Sequence, residues 1–212
     1  MSPEKLVAGY HHGDLRHALI DAAVGEIGRQ GLEALNLRTL AARAGVTSGA
    51  PYHHFADRKA LLRAIAEEGF GRLEAELVEA RDASPENASR RLEALGAAYM
   101  RFAIANPGYF RVMFRGETQA AHATEAGLRA FRCLTDAVVA CQAAGVAPDG
   151  DSSPLVMTAW STVHGFATLW VDAALPFQGL NPETMAPRVG RMIAKMLAAL
   201  AREPHGDEPD GT

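Results

Sequence analysis

An all-helical protein is the fold class that the sequence predicts, and three observations carry it. Apolar residues recur at helical spacing in segment after segment, no stretch keeps the two-residue alternation of a strand for long, and no internal repeat is visible. Breaks containing Gly, Pro, Asn or Asp divide the chain into about nine such helices.

Residues 1–13 read as a flexible arm. A long helix is expected over Asp14–Arg29, where Leu15, Ala18, Leu19, Ala22, Ala23 and Ile27 make the buried stripe. Asn36 is a good N-cap for a short second helix, whose Leu37, Leu40, Ala41 and Ala44 form a narrow apolar face. Gly45 ends it, because glycine tolerates the left-handed backbone of a tight turn, and Val46 can pack inward as the turn's anchor. Thr47 is then expected to cap a third helix closed by Tyr52 and Phe55. Two helices joined by a short glycine-containing turn are an ordinary helical hairpin or a helix-turn-helix, whose second member lies in the DNA major groove.

Asp57 is placed to cap a fourth helix carrying Leu61, Leu62, Ile65, Phe70, Leu73 and Leu77. Ser84-Pro85-Glu86 reads as a fresh start for a helix reaching about Ala105, and Asn106-Pro107 opens a short aromatic segment, GYFRVMF. Further helices are expected from about Glu117 to Ala144, from Pro154 to about Ala174, and from Glu183 to Ala201. The last would place Met185, Val189, Met192, Ile193, Met196 and Leu197 along one side. The tail, 203–212, is acidic and short of hydrophobes, the composition of a disordered segment.

With 48% apolar and 22% charged residues among 212, the chain has the composition of a soluble globular protein. It lacks a stretch of the roughly 20 apolar residues that span a membrane, and its N-terminus does not resemble a signal peptide, so a cytoplasmic location is expected. Cys133 and Cys141 read as reduced, buried small hydrophobes, at a spacing wrong for zinc. The net charge of −4 divides unevenly: residues 1–60 total +1 and the remainder −5. A DNA contact would therefore rest on a few placed cations and backbone donors, and would be salt-sensitive.

From Asn36 to Leu62 the chain resembles the DNA-binding motif of the TetR family of bacterial transcription regulators, on the residues LxxLAxRAGVTSGAPYHHFADRKALL. The resemblance extends back through His12-Gly13-Asp14-Leu15-Arg16. It implies a DNA-binding head over residues 14–60, and an effector-binding and dimerisation domain over 61–202. It also implies phosphate contacts from Arg38 or Thr39, Thr47, Tyr52, His53 and Arg58, with Lys59 as a helper. Arg58 stands where the family usually has lysine, and a guanidinium can hold a phosphate bidentately.

The reading segment lacks Lys and Arg, with Ser48 where lysine is frequent and Pro51 in place of a larger aliphatic residue. Thr47, Ser48 and Ala50 can offer hydroxyls and a methyl to base edges, Gly49 allows close approach, and Pro51 suits a first helical turn. Sequence would then be read through short contacts, thymine methyls and DNA shape.

The family resemblance further implies a homodimer through the last two helices, matching a palindromic double-stranded operator. Met100, Phe110, Met113, Phe114, Phe131, Trp160 and His164 belong to an aromatic and methionine-rich set that is plain core or an effector pocket. Trp160-Ser161-Thr162-Val163-His164-Gly165 is similar to the Trp/His-Gly (WHG) signature of one TetR C-terminal class, which implies a small apolar or aromatic effector that releases a repressor from DNA. His164 could hydrogen-bond that effector, orient Trp160, or be a satisfied core histidine, while Gly165 would permit close helix approach. No cofactor or metal is expected. An enzyme is the rival class, but the chain lacks G-x-S-x-G, H-E-x-x-H and a phosphate-binding glycine loop. A non-specific DNA-binding protein is the second rival, opposed by the acidic remainder of the chain.

Overall fold

The computed structural model describes residues 12–84, 86–115, 124–173 and 179–202. Among them, in chain order, are α1 (His12–Gln30), a 3-10 turn at Leu32–Ala34, α2 (Leu37–Arg43), a second 3-10 turn at Ala50–His53, and α3 (Arg58–Asp82). Then follow α4 (Ala88–Ala105), α5 (Pro107–Met113), α6 (Glu125–Ala143), α7 (Ser153–Val171) and α8 (Pro182–Leu200). The described residues contain no strand, so the all-helical class stands, with eight α-helices in place of about nine. The difference is the expected helix after Thr47, which is the 3-10 turn. Segments 1–11, 116–123, 174–178 and 203–212, where the arm, one expected helix start, a connector and the tail were placed, lie outside the described residues.

The chain forms two compact units. The first takes the described residues through Gly69 together with Asn106 to Arg115; the second takes Phe70 to Ala105 and the described residues from Thr124 onward. Helix α3 runs unbroken from the first into the second.

Local caps define the elements of the first unit. The Asn36 side chain accepts a hydrogen bond from the Arg38 N–H at 2.9 Å, and Asp57 Oδ1 accepts from the Ala60 N–H at 2.6 Å, each satisfying an orphan donor of a helix start. Gly45, at φ 69°, ends α2, and the Val46 N–H returns to the Ala41 carbonyl at 3.0 Å. A Cβ at Gly45 would meet no neighbour, so the backbone alone dictates the glycine. Gly45→Ala should therefore cost about 1–2 kcal/mol, the left-handed penalty of an L-residue, readable as a lowered denaturation midpoint with an unchanged m-value.

Leu19, Ile20, Ala23 and Ile27 of α1, Leu37, Leu40 and Ala41 of α2, Phe55, and Leu61, Leu62 and Ile65 of α3 are buried as the core of this unit. Helix α5 joins them. It crosses α1 at Gly108, where a Cβ would overlap the Val24 carbonyl oxygen. Arg111 Nη1 donates to the carbonyls of Ile27 at 3.1 Å and Gly28 at 2.9 Å, near the C-terminal end of α1, where the Ile27 carbonyl also accepts the Gly31 N–H. The Tyr109 hydroxyl donates to Glu68 of α3 at 2.6 Å.

In the second unit α4 packs against α6, α7 and most extensively α8. The α4–α8 crossing is a glycine pair: a Cβ on Gly96 would come within 2.9 Å of Gly190 Cα, and one on Gly190 would overlap the Glu93 carbonyl oxygen. Helix α4 starts at Ala88, later than Ser84-Pro85 suggested, because Asn87 Oδ1 caps the Arg90 N–H at 3.0 Å while the Ser84 hydroxyl turns back to the Ala80 carbonyl at 2.7 Å. On α8, Val189, Ile193 and Leu197 are buried as expected, but Met192 is 65% exposed. Cys133 and Cys141 are free and buried, and burial pushes both thiol pKa values above their ordinary range.

Candidate nucleic-acid interface and effector cluster

The segment after α2 is tighter than an α-helix for a reason visible in its hydrogen bonds. Successive i+3 bonds run from Ala50 N–H to Thr47 O (3.0 Å), Tyr52 N–H to Gly49 O (3.1 Å) and His54 N–H to Pro51 O (3.0 Å). The segment closes as a 3-10 turn with Pro51, which has no N–H to give, in its first turn. The expected Thr47 cap is accordingly absent as a side-chain cap: the 3-10 turn follows Gly49 and is capped by no side chain. Pro51, expected among the DNA-facing residues, is buried. Thr47, Ser48, Gly49 and His53 are exposed, Tyr52 is 50% exposed, and Ala50 is half-buried.

The other expected phosphate ligands fall at helix starts. Arg38 and Thr39 are exposed in the first turn of α2, and Lys59 is exposed in the first turn of α3. Arg58 is half-buried, and one of its guanidinium nitrogens donates to the Leu32 carbonyl at 3.0 Å, anchoring α3 to the 3-10 turn that follows α1. Arg16 lies 5.5 Å over the Phe55 ring.

Sequence reasoning missed Glu26. It is the polar member of the buried stripe of α1, one turn on from Ala22 and Ala23, and it is 6% exposed. Its carboxylate pairs with Arg43, the last residue of α2, and with Arg29 Nη2 at 3.4 Å.

The seven expected pocket residues divide between the units. Phe110, Met113 and Phe114 belong to the first, where the Phe110 and Phe114 rings lie 5.4 Å apart and Met113 packs where a Cβ on Gly69 would stand. Met100, wholly buried on α4, and Phe131, Trp160 and His164 belong to the second. There His164 stacks on Trp160 with ring centroids 5.1 Å apart at 19°, and Phe131 meets Trp160 edge-on at 6.4 Å.

Tyr99 completes this cluster, with its hydroxyl 2.8 Å from His164 Nδ1. Burial pushes the phenol pKa far above its ordinary range, so the hydroxyl keeps its proton; which partner donates across the contact is set by the imidazole tautomer. The other ring nitrogen, Nε2, lies 3.5 Å from Thr168 Oγ1. The set of Tyr99, Phe131, Trp160 and His164 contains no Asp, Glu, Lys or Arg; its polar chemistry is a phenol and an imidazole framed by aromatic faces. Gly165, expected to serve close packing, has no atom within 4 Å of where a Cβ would stand. It shares the outer side of α7 with Phe166 and Leu169, both more than a third exposed. Among the described residues no group of three His, Cys, Asp or Glu could hold a metal ion, and no helix is long and apolar enough to cross a membrane.

Residues 19–65 match the family described as bacterial regulatory proteins, tetR family, and residues 92–196 match the tetracyclin repressor-like C-terminal domain. No curated protein matches. Among solved structures, a protein of unknown function from Rhodococcus sp. RHA1 is 36% identical, with a TM-score of 0.73, covering 89% of this chain and 98% of that one. A bacterial regulatory protein in the tetR family from Rhodococcus RHA1 is 21% identical (TM-score 0.71; 86% and 96% covered). AibR, solved in complex with isovaleryl coenzyme A and operator DNA, is 17% identical (TM-score 0.67; 86% and 98% covered). The last two likenesses are of fold.

Proposed function

The chain belongs to the TetR family of bacterial transcription regulators, and from that premise we propose a cytoplasmic homodimer that represses from a palindromic operator and is released by a small apolar or aromatic effector. The observation that carries the DNA half is the exposed segment Thr47–His53, held between a capped α2 and a capped α3. Thr47, Ser48, Gly49, Tyr52 and His53 are proposed to meet the duplex there, with Arg38, Thr39 and Lys59 on phosphates. Arg58, tied to the Leu32 carbonyl, sets the position of the α3 start as well as adding charge. With no Lys or Arg in the reading segment, base recognition rests on short contacts and DNA shape.

The functional division is proposed near residue 60, with 14–60 as the DNA-binding head and 61–202 serving effector and partner. Pairing of two copies is proposed through α7 and α8. Gly165, which nothing in its own chain requires, and the exposed Phe166, Leu169 and Met192 supply apolar surface for it. The Tyr99–His164–Trp160–Phe131 cluster supports a small apolar or aromatic effector and placement in the Trp/His-Gly class. No catalytic role is proposed.

The test is enrichment from a pool of random duplex DNA. A palindrome with half-sites one helical turn or a multiple apart, about 34–36 Å per turn, is expected. Uniform retention of all sequences, or none, would overturn the reading.

A further inference from the structure

We propose that Glu26 is a positioning residue for DNA recognition: its buried ion pair with Arg43 fixes the far end of α2, and so the reading segment that follows it. The proposal rests on the DNA-binding reading above.

Helix α2 has seven residues, and its buried contacts, Leu37, Leu40 and Ala41, lie in its first five. Apolar contact is non-directional, so such a short helix could pivot about that patch. Its C-terminal end has a directional tether instead, from Arg43 to the Glu26 carboxylate on α1. Only Ala44, Gly45 and Val46 separate Arg43 from Thr47, so a tilt of α2 is delivered to the reading segment with little chain to absorb it.

Two features argue that the pair serves placement rather than stability. A carboxylate in a DNA-binding head repels phosphate, and a buried ion pair is often replaced by apolar residues without loss of stability, conformational specificity being one thing it can supply. The partners are also unequally placed: the Glu26 side chain is 8% exposed, whereas those of Arg43 and Arg29 are 43% and 60% exposed. Both guanidiniums can reach water when the carboxylate is gone, so Glu26→Leu leaves no cation stranded.

The experiment uses full-length protein and two probes: the duplex that wild type enriches from the random pool, and a scrambled duplex of the same length. Glu26→Leu is expected to keep the wild-type melting temperature and scrambled-duplex affinity, yet to bind the enriched duplex about tenfold more weakly. Arg43→Met should lose a similar factor in the ratio of the two affinities, and the double variant no more than the larger single loss, because both act through one contact. Glu26→Gln, which keeps an acceptor for Arg43, should recover most of the ratio. Wild-type discrimination in Glu26→Leu, or single losses that multiply in the double variant, would overturn the proposal. So would a lowered melting temperature with equal loss on both duplexes; if Glu26→Leu fails to fold, the same ratio in Glu26→Gln and Arg43→Met decides. Wild type that enriches nothing would instead sink the DNA-binding reading itself.

Discussion

Gly108→Ala is expected to destabilise the protein by about 2–3 kcal/mol, lowering its melting temperature by roughly 5–10 °C. The added methyl has no room, since it would overlap the Val24 carbonyl oxygen, and that oxygen is backbone of α1 and cannot rotate aside. Relief requires α5 to lift from α1, which lengthens the bonds from Arg111 to the Ile27 and Gly28 carbonyls. A helix-favouring substitution would therefore act against its intrinsic propensity, which prefers alanine by about 1 kcal/mol. Calorimetry of the purified variant checks the magnitude. An unchanged transition would mean that α1 and α5 cross with more freedom than the backbone contact allows.

Gly49→Ala should do the reverse, leaving stability unchanged or raised by a few tenths of a kcal/mol while weakening binding to the enriched duplex by tenfold or more. Gly49 sits at φ −85° and ψ −22°, ordinary right-handed backbone, and a Cβ there would meet nothing within 4 Å. Alanine would cost the free protein nothing and would remove unfolded-state entropy. A glycine that its own chain does not need, on the exposed segment proposed to read DNA, is explained by close approach of the duplex. Fluorescence anisotropy against that duplex, paired with a thermal melt, separates the two effects. Wild-type affinity would show that position 49 faces away from DNA.

Gly45 and Gly49 illustrate how much of this molecule was legible in advance. Gly45 follows from local rules: a capped helix, a left-handed turn and a half-buried Val46 occupy eleven consecutive residues, and each step depends on its neighbours alone. The caps Asn36 and Asp57 and the buried stripe of α3 were readable for the same reason. The 3-10 form of the reading segment was not legible from Pro51, since α5, α7 and α8 also carry proline in the first turn and are α-helices; it shows only in the i+3 hydrogen bonds.

Longer-range facts left no local mark. Gly108 and Arg111 bind α5 to α1, more than 80 residues earlier, and so assign Phe110, Met113 and Phe114 to the first unit, which no local pattern announces. The Tyr99–His164 contact spans 65 positions, and Glu26, although on the α1 stripe by spacing, has its Arg43 partner on another helix. Met192 fitted the apolar stripe of α8 by spacing, but the stripe is wider than the face that α4 covers.

The two cysteines have a practical consequence for measuring any of this. Both thiols are buried, and burial holds them in the unreactive protonated form, so at neutral pH the native protein should consume almost no maleimide within minutes. A single cysteine introduced at the exposed Ser48 would then be the one fast-labelling position, and a dye there would report contact with a duplex without first stripping the chain of its own sulfur. Rapid uptake of two equivalents by the unmodified protein would show that α6 opens far more readily than its burial implies.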